Sequence, residues 1–380
     1  MRGTLRVLVT AAPGVGHMFP MVPLAWALRS AGHEVLLVTG GRGLGAAVKS
    51  GLPVVDYAPG MSGQEISDSI NRQFPAHLPV GESRIRRLAD AAERVVHIAR
   101  FGLDTTIRIA EAWRPDLVVH DPLNAAGLIA AAKLGIPAVQ HLLGFARGAG
   151  LSTELYGLLR ADFTRHGAPG LPASVVLDVA PPALLAEPPE GWSMRYLPHD
   201  GGGPLASWLL DSAGAARPLI AVTLGTETPL VAGTGTFDRI AAAAERVDAD
   251  FVFALGGADP VGLGALPPNV RAKRWLPFSE LLTRCTAAVH HGGSGVTLST
   301  LAAGVPQLAL PNGADRHANA GAVAEYGAGL ACAPDEVTPA VLARLATDEK
   351  LRQSAVEARA AIEAMPCPAD LVPRLEAAVR

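Results

Sequence analysis

The chain has 380 residues, of which 49% are hydrophobic and 18% are charged, and its formal net charge is −3. This length exceeds what one hydrophobic core usually serves and predicts two domains, while the high apolar content excludes a disordered chain. The nearly balanced charge offers no electrostatic footprint for a polyanion, so we exclude nucleic acid as a partner.

The cysteines and the apolar runs predict the compartment. Three widely spaced cysteines, odd in number, are typical of structural thiols in a reducing environment (Cys285, Cys332 and Cys367). The apolar stretch at the N-terminus is too short for a signal peptide, and no run approaches the roughly 18 apolar residues of a membrane-spanning helix. We therefore expect a cytoplasmic protein without a membrane anchor.

The first half of the chain alternates short β-branched apolar runs with longer segments of helical periodicity, which predicts parallel α/β architecture. The predicted strands are residues 6–10, 35–39, 53–57, 117–120 and 138–141. The predicted helices include residues 19–30, 84–113 and 124–134. Two polar stretches, residues 60–83 and 144–152, have the composition of mobile loops over a binding site.

The second half repeats this scheme and predicts a second doubly wound sheet. Its predicted strands are residues 219–223, 251–255, 270–274, 287–290, 307–310 and 330–333. The proline- and glycine-rich stretch 181–217 is predicted to be a linker. We place the domains at residues 1–205 and 216–367, and we expect a C-terminal helix over 368–380 to pack back on the first domain. Two such sheets facing each other would bind ligands in a cleft at the carboxyl ends of their strands.

The first chemical motif, TAAPGVGHMFP, leads from a predicted strand through two glycines into a helix. A dinucleotide-binding fingerprint needs a third glycine where this chain has Phe19, and an acidic residue after the second strand where it has Thr39, so a nicotinamide enzyme is disfavoured. His17 lies at the cleft-facing end of the first strand, where a histidine suits general-base catalysis. A histidine that only caps the turn fits the spacing equally well.

The second motif is His120-Asp121-Pro122, at the end of the fourth predicted strand. Asp121 would face the same crevice as His17, and it could accept a hydrogen bond from one imidazole nitrogen and leave the other free to take a proton. The alternative is an aspartate that caps the following helix. The sequence alone does not rank the two.

The third motif, AAVHHGGSGVTLSTLAAGVP, leads through a glycine-rich turn into a helix. Gly293 and Gly295 allow an anion to approach the backbone closely. The N–H groups of Ser294, Gly295 and Val296 would point out of the helix start, where the macrodipole favours negative charge. His291 could add a cationic donor to a phosphate oxygen. The alternative is a packing turn, and the absence of a Walker-type lysine leaves ATP or GTP hydrolysis unsupported.

A companion segment, LIAVTLGTETP, ends its predicted strand with residues suited to further phosphate contacts (Thr223, Gly225 and Thr226).

Together these segments resemble the nucleotide-sugar-dependent glycosyltransferases of the GT-B fold, particularly bacterial enzymes that decorate polyketide and other natural-product aglycones. The resemblance covers essentially the whole chain, from PGVGHMFPMVPLAWALRSAGHEV through RPDLVVHDPL and RWLPFSELLTRCTAAVHHGGSG to ADRHANA and AMPCPADLVPRLE. The block HHGGSG, with the tryptophan before it and ADxxxNA after it, is specific.

This resemblance implies a fold and roles for individual residues. The expected fold is two facing Rossmann-like domains, the first binding the acceptor and the second binding the nucleotide-sugar donor. His17 matches the family's catalytic base, and Asp121 matches the carboxylate that orients it. Trp275 and Leu276 match the segment that binds the donor's pyrimidine. The other matching positions are those for the diphosphate (Thr226, His291, Gly293, Ser294, Gly295 and Val296) and for the sugar hydroxyls (Asp315).

Two positions depart from the family pattern. Arg316 stands where glutamine is usual, so a fixed cation replaces an amide that both donates and accepts, which leaves the specificity for the donor sugar open. Val296 stands where threonine is usual, but the backbone N–H matters more at that position.

The resemblance implies an inverting transfer without metal or other cofactor. A hydroxyl of a small natural-product aglycone would attack the anomeric carbon of a dTDP-sugar or UDP-sugar, and the helix start would stabilise the departing diphosphate in place of a metal ion. The triplet Asp248-Ala249-Asp250 matches the DxD pattern of metal-dependent glycosyltransferases. We interpret it as a helix-to-strand turn, because it precedes a strand and so lies away from the cleft.

Several alternatives remain at this point. A C-glycosyltransferase of the same fold would use His17 to activate a phenol, and a catalytically silent partner of another transferase would share the motifs but not the activity. A sugar-nucleotide epimerase is disfavoured by His17 and Asp121. Phe74, Phe145 and Phe163 fit an apolar acceptor pocket and fit a hydrophobic core equally well. A homodimer is left open.

Overall fold

The computed structural model describes residues 3–72, 84–211, 217–226 and 233–379. In these ranges the chain forms two parallel β-sheets, each covered by helices. The central strands of both sheets are apolar and largely buried, as expected for parallel sheets with helices on both faces, and the outer strands are partly exposed. No helix in the described ranges is long and apolar enough to cross a membrane.

The first sheet has seven strands in the order 3-2-1-4-5-6-7, and all its pairings are parallel. The five predicted strands of this half are confirmed to within one residue at each end, and the structure adds β6 and β7, which the sequence pattern missed. The strands are β1 (Arg6–Thr10), β2 (Glu34–Thr39), β3 (Val54–Asp56), β4 (Leu117–His120), β5 (Ala138–His141), β6 (Ser174–Asp178) and β7 (Trp192–Ser193).

The second sheet has six strands in the order 10-9-8-11-12-13, again all parallel. All six predicted strands are confirmed to within two residues. They are β8 (Leu219–Thr223), β9 (Asp250–Ala254), β10 (Val270–Lys273), β11 (Ala287–His290), β12 (Gln307–Ala309) and β13 (Gly329–Ala331).

The helices of the first domain follow the predicted positions except in one segment. The predicted helix over 84–113 is wrong: residues 84–87 are not helical, Leu88–Ala91 form a 3-10 turn, and two separate helices follow. The two helices are separated by residues 100–102, where Gly102, the N-cap of the second helix, has a left-handed φ of 74°. The α-helices are α1 (Val15–Met18), α2 (Val22–Ser30), α3 (Gly41–Lys49), α4 (Gly63–Asn71), α5 (Ala92–Ala99), α6 (Leu103–Trp113), α7 (Ala125–Leu134), α8 (Leu151–Leu158) and α9 (Arg160–Arg165).

The remaining helices cover the second sheet, and the last one returns to the first domain. They are α10 (Ser207–Asp211), α11 (Gly235–Ala244), α12 (Phe278–Leu282), α13 (Ser294–Ala303), α14 (Arg316–Tyr326), α15 (Pro339–Thr347), α16 (Glu349–Glu363) and α17 (Pro368–Ala378). Leu371 and Leu375 of α17 are buried in the same cluster as Leu24 and Leu28 of α2. The exact domain boundaries stay a prediction.

The predicted linker over 181–217 is partly structured. It contains β7, which pairs with β6 as the edge strand of the first sheet. Two residues form too short a strand to give a periodic signal, so proline and glycine dominated the sequence pattern. After β7, the Arg195 N–H donates to the Pro366 carbonyl at 2.7 Å, so this connection is tied to the segment before α17.

The predicted mobile loop over 144–152 is not free. Arg147 is buried, and its guanidinium binds Asp178 through Nη1 at 2.8 Å and Nη2 at 3.2 Å. The Phe145 N–H donates to Asn319 Oδ1 of the second domain at 3.1 Å. Small and polar residues gave the composition of a flexible loop, but they allow close packing between the domains here. The other predicted loop is described only to residue 72, and its residues 63–71 form α4.

Candidate active site

A cavity of about 610 Å³ lies between the two sheets. The loops that follow β1 and β4, together with α4, α5 and residues 85–88, form one side of it. The loops that follow β8, β10 and β11 and the loop before α14 form the other. We call these two sides the first-domain wall and the second-domain wall. Every predicted site residue lines this cavity except Asp121, which lies directly behind His17.

His17 and Asp121 are brought together by the topology of the first sheet. β1 and β4 are adjacent, with Thr10 opposite His120, so the residues that follow them meet at one edge. His17, in α1, has its Nδ1 3.2 Å from Asp121 Oδ1. Asp121 is fully buried, and its oxygens also accept the N–H groups of Ala12 at 2.6 Å and Leu123 at 2.7 Å. These bonds fix the carboxylate and hold the imidazole through one nitrogen.

The alternative for Asp121, a cap of the following helix, is wrong. The N-cap of α7 is Asn124, whose Oδ1 accepts the Gly127 N–H at 2.9 Å. Asp121 is therefore available to orient His17, whose side chain is 26% exposed to the cavity. Because Nδ1 is bound to the carboxylate, Nε2 is the nitrogen that can take a proton from a ligand.

The second-domain wall contains the glycine-rich turn at the start of α13. No side chain caps this helix, so its first N–H groups are available to a ligand. Glycine is required by the position of His291: a Cβ at Gly293 would lie 2.5 Å from His291 Nε2, and one at Gly225 would lie 2.6 Å from His291 Cε1. The imidazole thus fills the space between the turn after β8 and the turn after β11.

The surroundings of His291 favour a neutral imidazole over the cationic donor that we expected. Burial, the nearby Arg316 guanidinium and His290 hold the pKa of His291 well below its usual range. Its Nδ1 is buried and finds no hydrogen-bond partner among the described residues. One imidazole nitrogen can therefore donate to a ligand without carrying a full charge.

His290, which the sequence analysis did not single out, shapes the same turn. Its Nδ1 accepts the Gly292 N–H at 3.0 Å, so its Nε2 donates to Gln307 Oε1 at 2.6 Å. Burial lowers its pKa to about 4, which keeps it neutral. The two adjacent histidines thus have different places: His290 holds the turn from behind, and His291 faces the cavity.

Asp315 belongs to a hydrogen-bonded cluster at the start of α14. Its Oδ2 accepts the Ser294 hydroxyl at 2.6 Å and Asn319 Nδ2 at 3.1 Å. Asn319 is fully buried and also donates to the Gly292 carbonyl at 2.9 Å. Asn319 was noticed only as part of a matching motif, yet it connects the glycine-rich turn to the loop that carries Asp315.

Trp275 and Leu276 follow β10 and line the far end of the second-domain wall. Trp275 Nε1 is buried without a hydrogen-bond partner among the described residues, and Lys49 Nζ of the first domain lies 4.8 Å from the centroid of its ring. Arg316 lines the cavity beside His291, and its Nη1 donates to the Asn312 carbonyl at 3.2 Å.

The first-domain wall is largely apolar, and the sequence analysis missed it. Its aliphatic side chains come from α4, α5 and the segment between them, where helical spacing cannot be distinguished from core packing. They are Ile66, Ile70, Ile85, Leu88, Val95 and Ile98. Phe145 and Phe163 are buried in hydrophobic clusters instead, and Phe74 lies outside the described residues.

The predicted linker also contributes three residues to the cavity that the sequence analysis missed. The Tyr196 hydroxyl donates to the Gly295 carbonyl at 3.2 Å, and Asp200 Oδ2 accepts the N–H and the hydroxyl of Ser279 at 2.8 and 2.7 Å. His199 lines the cavity beside them, with the Phe19 ring packed edge-on at 5.2 Å. The connection between the sheets is therefore part of the site.

Comparison with known proteins identifies the family. Two domain models of the erythromycin biosynthesis protein CIII-like type match, the N-terminal one at residues 26–225 and the C-terminal one at residues 238–378. The elloramycin glycosyltransferase of Streptomyces olivaceus is 41% identical over 382 residues, which cover 98% of this chain and 97% of that protein. The chain belongs to this family of glycosyltransferases.

Solved structures agree with this assignment. The glycosyltransferase SnogD from Streptomyces nogalater superposes with a TM-score of 0.85 at 36% identity, with 100% of both chains covered. The spinosyn rhamnosyltransferase SpnG, solved in complex with thymidine diphosphate, gives a TM-score of 0.81 at 30% identity over 98% of this chain and 100% of that one. The fold is GT-B, as the sequence resemblance implied.

The DxD triplet of this glycosyltransferase lies at the amino ends of the strands of the second sheet, away from the cavity. Asp250 is the first residue of β9, and Arg217 Nε and Nη1 lie 3.1 Å from Asp248 Oδ1 and 3.4 Å from Asp250 Oδ1. The cavity is at the carboxyl ends of the strands, so the triplet is not part of it. In the described parts of the chain, no three histidine, cysteine or acidic side chains are grouped so that they could hold a metal ion.

Proposed function

We propose that this glycosyltransferase transfers a deoxysugar from a dTDP-sugar to a hydroxyl of an apolar natural-product aglycone, with inversion at the anomeric carbon and without a metal ion. The observation that carries the proposal is that His17, held by the buried Asp121, shares one cavity with an uncapped helix start. The first group suits removal of a proton from the acceptor. The second suits stabilisation of a departing diphosphate.

His17 is the base in this proposal. The acceptor oxygen forms a bond to the anomeric carbon as the bond from that carbon to the diphosphate oxygen breaks, and the acceptor proton moves to His17 Nε2. Asp121 then stabilises the imidazolium through the 3.2 Å contact with Nδ1. The base and the phosphate-binding turn lie on opposite walls of the cavity, so the acceptor would attack from the face opposite the diphosphate. Attack from that face inverts the configuration at the anomeric carbon.

The leaving group is stabilised by the second domain. Negative charge grows on the diphosphate as its bond to the sugar breaks, and the N–H groups of Ser294, Gly295 and Val296 at the start of α13 are preorganised to receive it. Neutral His291 adds one hydrogen bond, and the guanidinium of Arg316 supplies the fixed positive charge on this wall. These groups would do the work of a metal ion at the diphosphate.

The donor and acceptor classes rest on the relatives and on the cavity. The spinosyn rhamnosyltransferase has been solved with thymidine diphosphate and also with the spinosyn aglycone. In this chain Trp275 and Leu276 offer a flat ring and an apolar side chain to a pyrimidine, and the aliphatic first-domain wall suits a large apolar aglycone. UDP-sugars are the alternative donors.

The experiment is turnover with chelator present throughout. Wild-type protein is offered thymidine and uridine diphosphate sugars with aromatic and macrolide aglycones, and nucleotide release and product mass are followed. NMR of the product gives the anomeric configuration and distinguishes an O-linked sugar from a C-linked one. Transfer with inverted configuration to an oxygen supports the whole proposal. Strict dependence on a divalent ion, retained configuration or a C-linked product would each overturn the corresponding part.

A further inference from the structure

A short segment of the first domain contacts the loop that carries Asp315. We call residues 84–88 the strap. Its side chains Ile85 and Leu88 line the first-domain wall of the cavity, while the Ile85 N–H donates to the Ala314 carbonyl of the second domain at 2.9 Å. Ala314 directly precedes Asp315. One residue of the strap therefore contacts the cavity with its side chain and the sugar-facing loop with its backbone.

The strap is itself fixed to the first sheet. Arg147 pairs with it through two backbone bonds, from Arg147 N to the Arg86 carbonyl and from Leu88 N to the Arg147 carbonyl, both 2.8 Å. The buried Arg147 guanidinium binds Asp178, the last residue of β6, at 2.8 and 3.2 Å. The position of the Ile85 N–H is thus set by the rigid sheet of the first domain.

The loop that the strap contacts has a backbone conformation that needs support. Ala314 has a φ of 52°, in the left-handed region that is disfavoured for a residue with a Cβ. A second contact from the first domain reaches the helix that follows this loop, because the Phe145 N–H donates to Asn319 of α14, whose Nδ2 in turn donates to Asp315. The first domain therefore contacts the chain on both sides of Asp315.

The nucleotide-facing residues are different. The glycine-rich turn is held mainly by bonds within the second domain, such as those of His290 to Gly292 and Gln307. Its first-domain contact from the Tyr196 hydroxyl to the Gly295 carbonyl lies outside the strap. We propose that the strap is a positioning element for the donor sugar: the Ile85 N–H holds Ala314 so that Asp315 faces the sugar, and the sugar subsite is complete only when both domains are in contact. The proposal rests on the proposed function and on the family resemblance, which matches Asp315 to a residue that binds the sugar hydroxyls.

Two substitutions separate the backbone contact from the side chain. Ile85→Pro removes the N–H together with the aliphatic side chain, whereas Ile85→Ala removes most of the side chain and keeps the N–H. We expect Ile85→Pro to bind a dTDP-sugar about tenfold more weakly than Ile85→Ala, while the two bind thymidine diphosphate alike. Calorimetry gives both affinities, and retained binding of thymidine diphosphate shows that the protein is folded.

A double-mutant cycle tests whether the effect passes through Asp315. In an Asp315→Asn background, Ile85→Pro and Ile85→Ala should bind the dTDP-sugar equally, because the group being positioned is gone. In an Ala314→Gly background the penalty of Ile85→Pro should shrink, because glycine adopts the left-handed conformation without support. A merely structural role of the strap would leave the penalty unchanged in both backgrounds.

Four outcomes decide between these possibilities. Equal sugar affinities of Ile85→Pro and Ile85→Ala in the wild-type background, or equal losses for thymidine diphosphate and the dTDP-sugar, would overturn the strap proposal. If Asp315→Asn alone leaves the affinity for the dTDP-sugar unchanged, the sugar role of Asp315 that the resemblance implies fails instead. A selective loss that disappears in the Asp315→Asn background supports both.

Discussion

The second-domain wall and the first-domain wall of the cavity present different chemical groups to a ligand. The second-domain wall presents backbone N–H groups, glycines and hydrogen-bonded polar side chains grouped around His291 and Asp315. The first-domain wall presents mainly aliphatic side chains together with His17, which forms a polar pair with Asp121 behind it. The first kind of surface suits a fixed, charged ligand, because its donors must be placed closely. The second suits a ligand recognised by shape and apolar area.

This difference predicts that substitutions on the two walls affect different kinetic constants. Changes at the polar pair should act on the chemical step, changes at the glycine-rich turn should act on nucleotide binding, and changes at the aliphatic side chains should act on acceptor binding. Each of the following experiments tests one part of this prediction.

The largest effect is expected at Asp121. In Asp121→Asn the amide cannot stabilise an imidazolium, so kcat should fall by about a hundredfold to ten-thousandfold while the affinity for thymidine diphosphate stays the same. The matched control is Asp116→Asn, because Asp116 precedes the same strand and also accepts a backbone N–H, that of Arg6, at 2.7 Å. Steady-state kinetics of both variants make the comparison. Equal kcat values for the two variants would remove Asp121 from the mechanism.

The next effect is expected at the glycine-rich turn. In Gly293→Ala the new Cβ would lie 2.5 Å from His291 Nε2, so the imidazole or the turn must move. We expect thymidine diphosphate to bind about tenfold more weakly, since the N–H groups at the helix start are displaced. Gly321→Ala in α14 is the control, because a Cβ there meets no atom within 4 Å. Unchanged affinity in Gly293→Ala, measured by calorimetry, contradicts the assignment of the turn.

A smaller effect is expected on the aliphatic surface. Ile98→Ala removes part of the first-domain wall and should raise the KM for the acceptor about fivefold, with the KM for the donor unchanged. Ile109→Ala is matched to it, since Ile109 is also partly buried against the same hydrophobic cluster but does not line the cavity. An equal rise in both variants would mean that stability, rather than acceptor contact, is being measured.

The amount of the site that could be predicted follows the same division. The residues of the second-domain wall are close together in the sequence, in segments such as HHGGSG and ADRHANA, so their spacing carries the chemistry. The apolar residues of the first-domain wall come from α4, the strap and α5, and an aliphatic side chain on a helix has the same pattern whether it faces a ligand or a core. The family resemblance therefore indicated Asp315 as a site residue, and no pattern indicated Ile98.

The fold was predictable for a similar reason, and its exceptions are instructive. Long apolar strands such as β1 and β8 have a clear pattern, so both sheets were predicted nearly complete. β7 has two residues and lies in a proline-rich stretch, and the strap has the composition of a helix but forms backbone bonds to Arg147 instead. Contacts distant in sequence decided both, and no local pattern reports such contacts.

The smallest expected effect on transfer at neutral pH belongs to the buried histidines behind the two walls. Burial lowers the pKa of His141 in the first sheet and of His290 in the second to about 4. The folded protein keeps both neutral, whereas the unfolded chain protonates them near pH 6.5. Their contribution to stability is therefore complete above about pH 6.5 and is lost as the pH falls toward 4, by about 1.4 kcal/mol per pH unit for each histidine.

Urea unfolding at pH 7.5, 6.5 and 5.5 checks this expectation. The free energy of unfolding should be nearly constant between the first two values and should fall between the last two. His290→Asn should reduce the pH dependence by the share of one histidine. A free energy that does not change down to pH 5.5 would show that these imidazoles are not held neutral.

We propose that His17 removes the acceptor proton. Single-turnover transfer with a dTDP-sugar, an aglycone and chelator tests this role of His17. His17→Ala is compared with wild type at saturating donor, with His166→Ala as a control because His166 does not line the cavity. We expect the rate of sugar transfer by His17→Ala to fall at least about a hundredfold with unchanged affinity for thymidine diphosphate. His166→Ala should transfer the sugar at the wild-type rate. Equal rates for His17→Ala and wild type would leave the nucleotide site intact but contradict the assignment of the base.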